Sequence, residues 1–221
     1  MKEKLLSEAY PFWERLSAEE RAELLRCAAP VSYRKGECVH RSDMGCTGAV
    51  LVLSGLLRVY IVSEEGREVT LFRIRRGEPC VLAASCLLDA IQFDLVIEAA
   101  EKADAIVIPA GVLQPIMESN PYVGLYMYRQ ATERLSEAMW MMQQILFMGA
   151  DRRVAIFLWA ETAGKGQSAL RMTHGEIARN IGSAREVVSR VLKYLAEEGA
   201  VSLGRGLVEL ADPEKLRKFT E

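Results

Sequence analysis

The segment SAREVVSRVLKY (183–194) brings two arginines, a lysine, a glutamate and two serines together at helical spacings. On a wheel of about 100° per residue with Arg185 at zero, Ser189, Lys193, Glu186 and Arg190 fill an arc of about 140°. Tyr194, Val187, Val191, Leu195, Val188 and Leu192 fill the opposite arc. One face is built to pack and the other to meet a polar partner. Arginine can donate two hydrogen bonds to guanine O6 and N7, so Arg185 and Arg190 are base-reading candidates, and Glu186 can accept from cytosine N4. Ser189 suits a base or a phosphate, and Lys193 suits the nucleic-acid backbone. The competing account is an ordinary charged helix surface in which Glu186 serves only as a capping residue.

Other reactive side chains are sparse. The only histidines are His40 and His174, and neither has a nucleophile or acid partner at a motif spacing, which argues against an enzyme. Five cysteines, Cys27, Cys38, Cys46, Cys80 and Cys86, are scattered and odd in number. That pattern does not suit a disulfide framework. Period-two alternation puts Cys38 and His40 on one face of a strand.

The charged arc needs elements to aim it. Upstream, Thr173 with Glu176 reads as a capping box opening a short helix, Gly182 breaks that helix, and Ser183 with Glu186 reads as a second capping box. Two short capped helices around a glycine turn form a helix-turn-helix. Thr173 and Ser183, at the helix starts, join the DNA-binding set. Residues 200–210 (AVSLGRGLVEL) read as a hairpin wing with Arg205 at its tip, placed for phosphate. Residues 151–221 carry 12 basic against 10 acidic side chains, a net +2 in a chain of net −2. This is a weak pointer towards nucleic acid at the C-terminal end.

Ahead of the motif lie three stretches of different periodicity. Residues 12–29 have helical spacing, with Ser17 and Glu20 as a capping box inside the stretch. From Val31 to Pro109 short apolar runs (AVLVL, LLRVYIV, REVTLFRI, FDLVIEA) are punctuated at Gly36, Gly55, Gly66 and Gly77, and Glu64-Glu65-Gly66-Arg67 reads as a hairpin turn. This predicts a rolled antiparallel barrel. Residues 121–148 then predict a helix of about 27 residues, roughly 40 Å long. Tyr128, Ala131, Leu135, Ala138, Met142 and Ile145 are spaced as a helix–helix seam, widened by Leu125, Met139 and Leu146. A small protein rarely covers so long a helix alone, so a second copy of the chain is expected on it. Met148-Gly149-Ala150-Asp151 reads as a hinge, with Asp151 suited to cap the next helix. The division is 1–120, 121–148 and 149–221, and the class is α+β.

Half of the 221 residues are hydrophobic and about a quarter are charged, as in a folded soluble chain. No apolar run approaches the roughly 20 residues of a membrane span. The charged N-terminus lacks the apolar core of a signal peptide. A cytoplasmic location without membrane contact is expected.

In order and motif the chain resembles the Crp/Fnr family of bacterial transcription regulators over nearly its whole length. RKGECV with AVLVLSGLLRVYIVSEEGREVTLFRIRRGEPC is similar to the family's β-roll, residues 121–148 to its dimerisation helix, and TxxEIA with GSAREVVSRVLKYLAEEGAV to its DNA-binding motif. The resemblance implies an antiparallel β-roll, a long dimerisation helix and a winged helix-turn-helix. It also implies a homodimeric activator on palindromic DNA, with RNA polymerase as a partner. Residues equivalent to Arg185, Glu186 and Arg190 contact bases in the family. Glu186-x-x-Ser189-Arg190 looks like the Fnr branch, whose half-sites resemble TTGAT. The family's acidic residue for a cyclic-nucleotide ribose and its Arg-Ser pair for the phosphate are replaced by Val81-Leu82 and Phe93-Asp94. That argues against cyclic AMP, since the anion would meet no arginine. An iron–sulfur cluster of the Fnr type is disfavoured because no cysteine precedes Cys27. The segment where relatives hold ligand contains Cys80, Val81, Leu82, Cys86 and Phe93. Buried cysteines as apolar filler, a redox-sensing thiol pair, a metal or haem site with Cys38 and His40, and an uncharged or aromatic effector all stay open. A sensing module that no longer binds DNA productively is the alternative to a regulator.

Overall fold

Four glycines set the rhythm of the N-terminal strands. Gly36, Gly55, Gly66 and Gly77 all have φ near +80°, a conformation that L side chains rarely adopt. At Gly55 space forbids a side chain as well, because a Cβ there would sit 2.2 Å from the Lys102 carbonyl oxygen. The computed structural model describes residues 2–41, 44–45, 47–82 and 95–220. It divides into two compact units, Met1–Glu65 with Leu71–Ala138, and Gly66–Thr70 with Met139–Glu221.

In the first unit the apolar runs form two four-stranded sheets. One has the order β1 (Ala29–Tyr33), β8 (Ala103–Ile108), β3 (Ala49–Ser54) and β6 (Pro79–Cys80). The other has the order β2 (Cys38–Arg41), β7 (Val96–Ala99), β4 (Leu56–Val62) and β5 (Glu68–Arg75). Antiparallel ladders such as Val31↔Ala105, Val50↔Val107 and Val59↔Ile97 fix the register. Val50, Val52, Leu57, Val59, Ile74 and Ile97 are completely buried between the sheets. This is the predicted antiparallel roll.

The helical stretch read at 12–29 is in fact broken. A first helix α1 (Lys2–Ala9) precedes a 3₁₀ turn at Pro11–Arg15, and α2 covers only Ala18–Cys27. The break follows from two local preferences. Pro11 lacks an N–H and sits where a helix starts, and Ser17 takes an extended conformation to cap α2. Its capping box with Glu20 is complete, at 3.1 and 2.6 Å. Leu6, Tyr10, Phe12, Trp13 and Leu24 pack with Leu113 and Ile116 of α3 (Ala110–Ser119) on the outer side of the roll.

Helix α4 runs from Pro121 to Phe147, 27 residues, which corresponds to about 40 Å. After Met148 and Gly149, α5 (Ala150–Glu161) begins with Gly149, not Asp151, as its N-cap. Asp151 lies in the first turn, where its charge suits the helix dipole without capping it. The C-terminal residues add α6 (His174–Ile181), α7 (Arg185–Glu197) and a three-stranded sheet ordered β10 (Val201–Gly204), β11 (Leu207–Leu210) and β9 (Ala169–Leu170). A last helix, α8, covers Pro213–Lys218. Val154, Leu158, Ile177, Val188, Leu192, Leu195, Val208 and Leu216 share one core. Among the described residues no helix is long and apolar enough to cross a membrane.

Candidate nucleic-acid interface

Helix α6 starts as its residues demand. Thr173 accepts from the Glu176 N–H, and the Glu176 carboxylate accepts from the Thr173 N–H at 2.7 Å, closing the predicted capping box. The helix ends at Gly182, whose φ of +62° is left-handed. The Gly182 and Ser183 N–H groups both return to the Ala178 carbonyl, the tight helix end that glycine favours. This corrects the second capping box. Ser183 is committed to that turn, so Ala184 becomes the N-cap of α7, and no side chain caps the helix. Glu186 is therefore not held as a cap. Arg153 of α5 buttresses the turn by donating to the Ile181 carbonyl at 2.7 Å.

Helix α7 buries Val188, Leu192 and Leu195 completely and leaves Arg185, Glu186, Arg190 and Lys193 exposed along one arc. Tyr194, assigned to the packed side, is 45% exposed and meets Phe219 edge-on at 5.7 Å. Lys193 pairs loosely with Glu197 at 3.7 Å in full solvent. Ser189 is half-buried, and its hydroxyl donates to the Arg185 carbonyl at 2.9 Å. At the same distance lies Nδ1 of His174, the first residue of α6. Sequence reasoning found no partner for His174 at a motif spacing. Its partner lies 15 residues away on the next helix, so no local spacing could reveal the contact. Strands β10 and β11 form the expected wing, with Arg205 exposed at its tip.

Among the exposed apolar side chains of α4, Leu125, Tyr128, Leu135, Met139, Met142 and Leu146 alternate with Thr132 in steps of three and four. That is the spacing expected of a helix–helix seam. Of the residues named from spacing, Tyr128, Leu135 and Met142 lie on this stripe. Ala131, Ala138 and Ile145 are half-buried beside it, Ala131 against the first unit's core. Trp140 and Phe147 are exposed on a neighbouring line.

In the segment expected to hold an effector, Cys80, Val81 and Leu82 are buried in the cores of the roll. Cys86 and Phe93 lie outside the described residues. A β-bulge falls between Cys38 and His40, which breaks the alternation assumed for them. Cys38 Sγ lies 3.6 Å from Met44 Sδ, whereas His40 is buried with Nδ1 3.2 Å from Thr47 Oγ1. Burial holds the His40 pKa below the usual histidine range.

This arrangement has known counterparts. Residues 30–120 match the family described as the cyclic nucleotide-binding domain, and residues 152–219 match the Crp-like helix-turn-helix domain. Transcriptional regulator SdrP of Thermus thermophilus is 30% identical over 180 residues, covering 78% of this chain and 84% of that protein. The cyclic AMP receptor protein of the same organism is 30% identical over 189 residues, 85% of this chain and 86% of that protein. The crystal structure of a Crp/Fnr-family regulator from Eubacterium rectale superposes with a TM-score of 0.91 at 38% identity, covering 96% of this chain and 98% of that one.

Proposed function

This chain belongs to the Crp/Fnr family of bacterial transcription regulators, and from that premise we propose that it acts as a homodimer on a palindromic operator with TTGAT-like half-sites. The observation that carries the reading is the arc of α7. Arg185, Glu186, Ser189 and Arg190 face outward from a helix whose other side is locked into a core. A helix so held can enter a major groove, and two copies about one DNA turn apart, roughly 34 Å, read an inverted repeat. Thr173, Ser183, Lys193 and Arg205 lie on the same motif or its wing and supply backbone contacts. The α4 stripe supplies the surface for the second copy. Residues 1–120 serve as sensor, 121–148 as dimerisation helix and 149–221 as DNA-binding domain.

The effector acts in the β-roll. In sequence, Phe93-Asp94 stands where cyclic-nucleotide-binding members of the family carry their phosphate-binding Arg-Ser pair, and Val81-Leu82 where they carry the acidic ribose residue, so the effector is one other than cyclic AMP. A dimer that activates transcription would take RNA polymerase as its further partner. The test is selection of binding sites from a random DNA pool. The wild type should enrich an inverted repeat, and Arg190→Ala should lose that enrichment while remaining a dimer in sedimentation. Undiminished specific affinity in Arg190→Ala, or no enrichment by the wild type, overturns the reading.

A further inference from the structure

A serine hydroxyl has one proton and two lone pairs. Ser189 Oγ has two partners at 2.9 Å, the Arg185 carbonyl oxygen and His174 Nδ1. The carbonyl can only accept, so the hydroxyl proton is spent there. Keeping both contacts then requires His174 to carry hydrogen on Nδ1 and to donate it. The neutral Nδ1–H tautomer and the imidazolium both meet that requirement. One lone pair of Ser189 Oγ is left over, on the arc that also carries Arg185 and Arg190.

We propose that His174 is a positioning residue for base recognition, fixing Ser189 as a pure acceptor so that it reads the exocyclic amino group of adenine or cytosine. Serine alone is ambiguous towards DNA, because a free hydroxyl can turn its proton to any acceptor. With the proton committed, phosphate oxygens, guanine O6 and N7 and thymine O4 offer Ser189 only lone pairs, and it has only a lone pair to return. Adenine N6 and cytosine N4 are the major-groove donors that remain. The first helix of the motif thereby contributes to specificity through the second. The inference rests on α7 being the recognition helix.

The test uses the full-length protein and an operator carrying each base pair in turn at every position. Ser189→Ala identifies the position that Ser189 reads. There the wild type should prefer adenine or cytosine on the facing strand by about tenfold, the scale of one base contact. His174→Ala should erase that preference alone, and His174→Asn, whose amide nitrogen can stand in for Nδ1, should retain it. In the free protein, ¹⁵N spectra of the neutral ring should place the hydrogen on Nδ1, a reading that needs no variant. Hydrogen on Nε2 alone overturns the relay. So does an unchanged base profile in His174→Ala, or an equal loss of affinity for all four bases. A wild type with no base preference at any position would instead overturn the recognition-helix reading beneath it.

Discussion

Arg190 and Lys193 carry the same charge on one helix face, yet they are suited to different tasks. Arginine's planar fork matches a guanine edge, whereas lysine's mobile ammonium is a point charge for phosphate. Lys193→Ala should weaken binding to all sequences alike and lower the slope of log K against log salt by about one for each phosphate that the lysine neutralises. Titrations at several salt concentrations check this. The Lys193–Glu197 pair is fully in solvent and adds little to stability. His40 has a different signature. Its pKa is depressed by burial, so the unfolded chain takes up a proton that the folded chain resists. Its contribution to stability is present above the unfolded value of about 6.5 and is lost as pH falls towards the depressed folded value. His40→Gln should therefore narrow the difference in urea midpoint between pH 7.5 and pH 5.5. An undiminished difference would place the proton uptake elsewhere. At this scale the polar arc of α7 was legible because amphipathicity is a local pattern. The His174–Ser189 contact was not, because it joins two helices.

Two helix starts in the motif look alike in sequence but differ in structure. Thr173-x-x-Glu176 forms a real capping box, and Thr173→Ala should cost about 1 kcal/mol. Ser183-x-x-Glu186 forms none, so Ser183→Ala should stay within about 0.5 kcal/mol. Gly182 between them has φ +62°, and a Cβ there would meet Ile145 at 2.6 Å. Gly182→Ala strains the backbone and makes the end of the Ile145 side chain shift, and should cost about 1–3 kcal/mol, mostly from the strain. Urea unfolding of the three variants ranks them. The same lesson applies at α2, where Ser17 opens a helix that the periodicity had begun at residue 12. Period locates an element, but its ends depend on which backbone groups find partners.

For the whole molecule, the telling feature is that α4 leaves a line of large apolar side chains in solvent, Leu135 being 56% exposed. A contiguous apolar face of that kind marks an interaction surface. The double variant Leu135→Glu/Met142→Glu should sediment at about half the wild-type mass with its folded circular dichroism intact. Its affinity for an inverted repeat should fall to that of a single half-site. A variant that stays dimeric would remove α4 as the interface. What the sequence by itself determined was each element with a strong local pattern: the glycine-punctuated strands, the 27-residue helix and the polar arc of α7. These patterns are written in neighbouring residues. Which side of α4 is free, where α7 begins and what holds Ser189 were decided only by the tertiary structure. Packing against the chain's own core takes Ala131 out of the exposed stripe. The carbonyl of Ala178 claims Ser183 for the turn, and a histidine on the preceding helix meets the serine hydroxyl.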